Sequence, residues 1–244
     1  MKKILSVFLV LCIAATLFAA AGVTVKVGSA FAFFNEKTVK DTEAYDTIVK
    51  FKGHGFGFDA EVQYDLSDKL VVFASYGKVF PGDVYEALDE DGHTGKWESW
   101  AESRKNVDER LNYKIRINFM TITAGAAYKF DFNAFKLAVG AGVSFNRLLA
   151  KATYTLKESA LMVGYNEETR ETLSNISVLG YAEAKYLVAE NVGITLTAKP
   201  QMNIYSFYNY YCKYEGDSTP LDTKLKGVVL SFAMPVALGV SYSF

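Results

Sequence analysis

The alternation of apolar and polar positions is sharpest at the end of the chain. From Val228 to Phe244 every even position is apolar: Val228, Leu230, Phe232, Met234, Val236, Leu238, Val240, Tyr242 and Phe244. From Gly227 the odd positions are small or polar, apart from Val229 and Pro235. This pattern specifies a β-strand with one apolar face and one thin, mostly polar face. A strand this long and apolar on one side only suits a wall between lipid and a polar interior.

The same alternation predicts seven earlier strands, at about 23–34, 48–64, 70–80, 113–130, 135–149, 174–186 and 192–205. The fifth is the cleanest. Phe135, Leu137, Val139, Ala141, Val143 and Phe145 oppose Lys136, Ala138, Gly140, Gly142, Ser144 and Asn146. The fourth has a phase conflict. Ile115, Ile117 and Phe119 are odd, whereas Ile122, Ala124, Ala126, Tyr128 and Phe130 are even. A bulge near Met120 resolves it, and so does an upper half that stands clear of the membrane. Short turns are expected at 65–69, 131–134 and 188–191, and long polar excursions at 81–112, 151–172 and 206–223. Pro200 and Pro235 fall inside strands, where each removes a ladder hydrogen bond, so a bulge or broken pair is expected at both. Alternating short and long connections give an all-β fold: an eight-stranded antiparallel transmembrane up-and-down β-barrel, with short turns inside the periplasm and long loops outside the cell.

The face opposite the apolar one carries Lys26, Asp59, Glu61, Lys129, Lys136, Glu183, Lys185 and Lys199. On a lipid face each charge would cost about 2–4 kcal/mol at the midplane; inside, they can pair. Most lie near the short-turn ends of their strands. They are expected to form an interior polar plug, against the alternative of water-exposed rim charges. Higher up, the inward positions are small: Gly28, Ala30, Ala32, Gly55, Gly57, Gly140, Gly142, Ser144 and Asn146. Either they leave a cavity or they let a narrow barrel curve and close; closure is the simpler reading. Aromatics gather at both strand ends. Tyr64, Tyr128, Phe130, Phe132, Phe135, Tyr186, Tyr242 and Phe244 lie near the turns. Tyr76, Phe80, Tyr205, Phe207, Tyr208, Tyr210 and Tyr211 lie near the loops. They are read as two interfacial girdles.

The N-terminus changes the compartment. Basic Met1-Lys2-Lys3, an apolar run from Ile4 to Phe18 and Ala19-Ala20-Ala21 form a secretory signal peptide, residues 1–21, ahead of a barrel domain at 22–244. Leu11 is bulky where lipidation at Cys12 would want a small residue. Beyond it Cys212 stands alone, so no intramolecular disulfide is available. Twenty-six basic and 27 acidic residues leave a net charge of −1, which removes any long-range electrostatic case for nucleic acid. A helical membrane protein is disfavoured. Past the signal, only the C-terminal stretch approaches the ~18–20 apolar residues a spanning helix needs, and it contains Gly239 and Pro235. A soluble β-sandwich is the stronger rival.

Signal peptide, alternating strands and the terminal Tyr242-Ser243-Phe244 resemble the small bacterial outer-membrane barrels of the OmpA-domain, OmpX and OmpW type. The resemblance covers nearly the whole mature chain but is architectural. It implies location in the bacterial outer membrane. It also implies that Tyr242 and Phe244 act as the assembly signal read by the barrel-insertion machinery. Outer-membrane lipid is then a further partner. Fold of this kind does not fix function.

Candidate chemistry is sparse. His54 and His93 are the two histidines. Nothing in the spacing ties Ser75 or Ser144 to His54 as a nucleophile to a base. His93 sits in an acidic loop segment without EF-hand ligand spacing. No catalytic, cofactor or metal residue is assigned. The excursions carry what remains: Trp97 and Trp100 are candidate surface contacts for an external ligand. The leading expectation is a non-enzymatic structural or surface-binding, adhesin-like barrel. A narrow channel for small hydrophobic molecules comes second and a lipid-modifying enzyme last.

Overall fold

A strand in hydrocarbon has no water to satisfy its amides, so every strand must find a neighbour on both edges. The computed structural model describes residues 22–42, 45–88, 93–96, 111–156, 167–214, 221–227 and 231–244. The first six long elements meet this requirement in chain order, apart from one short strand. They are β1 (Val23–Thr42), β2 (Tyr45–Asp65), β3 (Leu70–Leu88), the short β4 (His93–Lys96), β5 (Leu111–Phe132), β6 (Phe135–Leu156) and β7 (Glu167–Leu187). Next come β8 (Val192–Ala198) and β9 (Gln201–Tyr214), both paired to β7. The last are β10 (Leu221–Gly227), paired to β9, and β11 (Ser231–Ser243), paired to β8 and β9. β8 with β9 makes one interrupted stave and β10 with β11 another, so the described residues form eight antiparallel staves. β4 adds only a flap on the far end of β3. The ring closes where β11 pairs β1, from Thr24↔Ser243 to Asn35↔Phe232.

Each short connection is held locally; after β7 the Val188 and Ala189 amides donate to the Val192 carbonyl at 2.9 and 3.2 Å. After β2, the Ser67 hydroxyl accepts from the amides of Lys69 and Leu70 at 3.3 and 3.1 Å. After β5, Asn133 takes the left-handed conformation (φ 62°), which Asn tolerates better than most residues.

The outward side chains measure the membrane. Phe135 to Phe145 on β6, Ile176 to Tyr186 on β7 and Phe232 to Tyr242 on β11 bound exposed apolar runs. Each run covers about ten residues, which at ~3.3 Å per residue and a tilt near 40° rises roughly 25 Å. That is the height of a barrel's lipid-facing band. Yet β5 and β6 are 22 residues long, where a spanning strand needs about 9–11. Roughly half of each long strand therefore stands beyond the lipid on the loop side. The excursions expected at 81–112, 151–172 and 206–223 are in part continuations of the sheet, since strand extends to Leu88, to Leu156 and to Tyr214.

This extension settles the phase conflict in β5. Its register with β6 is continuous from Leu111↔Leu156 to Phe132↔Phe135, so no bulge lies near Met120. Ile117 and Phe119 are buried inside the barrel while Ile122, Tyr128 and Phe130 are exposed outside it. Within lipid the apolar face must point out. Above lipid, water surrounds the wall and the apolar face points in, as in a soluble core.

The two prolines share one defect. Pro200 interrupts the stave between β8 and β9, as its missing N–H requires. Pro235 does not break β11; it stays in register opposite Ala32, and its carbonyl accepts from the Lys199 amide at 2.9 Å within that same gap. Placing both prolines at one site confines the lost pairing to a single patch. A bulge occurs elsewhere, where β9 shifts register against β7 between Ile176 and Ser177. It turns Tyr208 inward to 7% exposure, so Tyr208 belongs to the interior and not to the girdle expected for it.

Small inward residues serve closure. Gly28 faces Gly239 across the closing seam, and a Cβ on Gly28 would lie 2.4 Å from the Leu238 carbonyl oxygen. Gly125 faces Gly142 in the same way, with a Cβ on Gly142 placed 2.2 Å from the Ala124 carbonyl oxygen. Strands this close and this curved exclude side chains at these points.

At the seam the Phe244 amide donates to the Val23 carbonyl at 2.9 Å, and the Phe244 ring meets Tyr242 edge-on at 4.8 Å. Deleting Phe244 removes the last two backbone bonds at the closing seam, its own to Val23 and the one it accepts from the Gly22 amide at 3.4 Å. The expected outcome is a reduced yield of folded, heat-modifiable protein on gels; normal yield would show that closure does not depend on this residue.

Candidate functional site

The lumen is filled in layers, and the inward positions of β7 mark them in order: Lys185, Glu183, Tyr181, Leu179, Ser177, Asn175, Leu173 and Glu171. The lowest layer is charged. Lys26 of β1 donates to Glu61 of β2 at 2.8 Å and to the Tyr181 hydroxyl at 2.9 Å, and it also contacts Glu183. Lys199, held in the break between β8 and β9, pairs with the other oxygen of Glu61 at 2.9 Å. It donates to Asp59 at 3.0 Å and to Ser75 at 2.7 Å. Gln63 donates to the Tyr181 hydroxyl at 2.8 Å and to Glu183 at 3.2 Å. Lys185, one step lower, donates to Ser243 at 3.0 Å. Lys26 and Lys199 thus meet three carboxylates directly, Glu61, Glu183 and Asp59, with Lys185 one step below them. Glu61, 2% exposed, is the centre, because each of its oxygens meets a different lysine. Buried charges persist only when paired and hydrogen-bonded in this manner.

Lys129 and Lys136 lie apart. Lys129 bridges to Asp65 at 2.7 Å and Lys136 to Asp131 at 3.0 Å, both partly exposed at the turn-side mouth. They sit too near the strand ends to reach the buried cluster and are rim charges. The Asp131 carboxyl is held below the usual carboxylate range by its hydrogen bond from Lys136. Sequence reading missed Tyr181 and Gln63, which knit the cluster. The available signal was positional: both occupy inward positions two residues from an inward carboxylate.

Above the charges lies an amide and hydroxyl layer. Ser144 donates to Gln201 at 3.0 Å, and Asn146 donates to Ser177 and Asn203 at 3.1 Å each. Above that, beyond the lipid band, is the apolar core of the extension. Phe34 stacks on Phe119 with centroids 4.9 Å apart and planes 14° from parallel. Val79, Ile117, Leu148, Ala150, Leu173 and Tyr208 surround them. Sequence reading named only the small inward residues of this half; Phe34, Val79, Ile117, Phe119 and Leu148 lie within the strand bounds it drew, but it did not place them in the interior.

Catalytic pairing gains nothing from the geometry. His54 is exposed on the outer wall, against Phe31 and Phe33 at 6.0 and 6.2 Å between centroids. Ser75 and Ser144 point into the lumen, engaged with Lys199 and Gln201. The two sides of a sheet cannot make one nucleophile–base pair. Trp97, Trp100 and the signal segment 1–21 lie outside the described residues, as does the His93 side chain.

No protein-family model matches this chain, and no curated protein matches it. Solved structures do. A major outer membrane protein from Thermus thermophilus superposes with a TM-score of 0.54 at 15% identity, over 91% of this chain and 99% of that one. The outer membrane protein OprG from Pseudomonas aeruginosa superposes with a TM-score of 0.51 at 12% identity, over 92% and 97%. The chain has the fold of the small bacterial outer-membrane β-barrels. Its apolar exterior band, bounded by aromatics, is the surface such a barrel presents to the outer membrane.

Proposed function

We propose that this outer-membrane barrel is a non-conducting, surface-displayed protein that acts through its extracellular extension and loops, in a structural or adhesin-like role. One observation carries the reading: the lumen is packed by three successive side-chain layers, while about half of each long strand projects past the lipid. A protein that passes solute has no use for a charged plug beneath a stacked aromatic core. A protein that displays loops gains from a stiff stalk with its own core. The same layers weigh against a passage for small hydrophobic molecules. The opposed placement of His54 and the inward serines weighs against lipid-modifying chemistry.

The test has two arms. In planar bilayers the purified barrel is expected to show no steady conductance; a regular ohmic step would overturn the closed lumen. In intact cells trypsin is expected to cut at Lys96, Arg104 and Lys105 while sparing Lys69. Protection of the first three with cleavage at Lys69 would invert the topology and remove the displayed loops.

A further inference from the structure

The outer wall of β6, β7, β9 and β10 bears a groove of about 650 Å³ just above the lipid band. Register fixes its layout. Across the sheet Arg147 lies beside Ser174, Ser174 beside Phe207 and Phe207 beside Lys226. In the next row up, Thr172 lies beside Asn209 and Asn209 beside Lys224. Thr172, Ser174 and Asn209 therefore form the floor together with the Phe207 ring. Arg147 stands on one side and Lys224 with Lys226 on the other. Arg170 forms the upper margin, its guanidinium 5.7 Å from the Tyr211 ring centroid. The row below is apolar, with Phe145 beside Ile176, both exposed to lipid. Among the described residues no carboxylate lines the groove. Glu168, which holds Arg170 at 2.9 Å and Lys151 at 2.7 Å, stands outside its lining.

Arg147, Lys224 and Lys226, with Arg170 at the margin, surround a floor of short polar side chains and one ring, set directly over an aromatic and aliphatic edge; this matches a molecule with an anionic head and an apolar tail. At this height on the wall the head falls at the headgroup level of the loop-side leaflet and the tail along the hydrocarbon. We propose that this groove is a binding site for a phosphorylated lipid of the outer leaflet. Its phosphate is held between Arg147 and Lys226, and an acyl chain lies across Phe145 and Ile176. Arg offers a planar fork matched to phosphate oxygens, and Lys226 a mobile point charge. The site would anchor the stalk upright. The inference rests on the membrane placement given above but not on the closed lumen, so its failure leaves the conductance arm untouched.

The test uses the full mature barrel, folded in nonionic detergent and titrated with lipid A or phosphatidylglycerol by native mass spectrometry. Wild-type protein is expected to retain one lipid of at least one of these two probes. The Arg147→Gln/Lys226→Gln variant is expected to bind that probe roughly thirtyfold more weakly, since each basic group near an anionic surface contributes about a factor of five to ten. Lys78→Gln serves as the control. Lys78 is another outward lysine, 5.2 Å from the Phe80 ring centroid and outside the groove, and its loss should leave affinity unchanged. Heat-modifiability confirms that both variants fold. Failure of both lipids to bind overturns the site. So does equal weakening by Lys78→Gln, unchanged affinity in the double variant, or equal retention of dephosphorylated lipid A. Full displacement by millimolar inorganic phosphate would mark a soluble-anion site and overturn the lipid assignment.

Discussion

Replacing Glu61 with glutamine is expected to lower the stability of the folded barrel by about 3–5 kcal/mol, the usual cost of removing one partner from a buried ion pair. The reason lies in its connectivity. One carboxylate oxygen serves Lys26 and the other serves Lys199, and the Tyr181 hydroxyl lies 2.8 Å from the first. Glutamine keeps the shape but strips the countercharge from two buried lysines at once. Glu183 and Asp59 remain as partial partners, which holds the loss near the lower end of that range. Thermal unfolding followed by heat-modifiability reads the effect directly. Lys136→Gln at the mouth is the contrast. That pair is largely exposed, and exposed pairs contribute about 0–1 kcal/mol, so its melting should match wild type. Equal melting for both variants would show that the charged layer is not what holds the lower lumen. If Glu61→Gln also opens a conductance, the layer is additionally the seal.

The second large effect is expected in the extension. Phe119 is 1% exposed and stacked on Phe34. Phe119→Ala should cost about 3–5 kcal/mol, the transfer and cavity cost of a buried phenylalanine. Asn118→Ala, one residue away on the opposite face, should change stability by no more than about 0.5 kcal/mol. Two-step melting of Phe119→Ala is a further expected signature, because the extension has its own core above the lipid band and can loosen while the membrane portion stays closed. Similar small effects from both substitutions would mean that the upper lumen is not packed as a core.

Both predictions turn on where apolar residues point, and this marks the boundary between sequence and structure. Strict alternation in Phe135–Asn146 and in the final strand was legible because lipid imposes a period of two on one face and tolerates few charges there. Two of the three short turns were legible because Ser67 and Asn133 carry their own local geometry. The outward aromatics and the inward charges followed from the same alternation, since a strand offers a side chain only two directions.

Partners inside the lumen were not legible. Whether Glu61 meets Lys26, Lys129 or Lys136 depends on the stagger of the staves around the ring, a quantity no single strand encodes. Lys199 reaches Glu61 only because the gap at Pro200 sits at the right height. Nor was the reach of the strands legible. The alternation that reverses at Met120 leaves two readings open, a bulge or an upper half clear of the membrane. The unbroken register of β5 with β6 shows one continuous strand crossing from lipid into water. Residue order alone dictates which positions alternate and where the chain turns, because those are local consequences of strand geometry and solvent. Which charges pair, which prolines share a gap and at what height the apolar side moves from the outside of the wall to the inside are long-range outcomes. Each of these is set by the closure of eight staves around one axis.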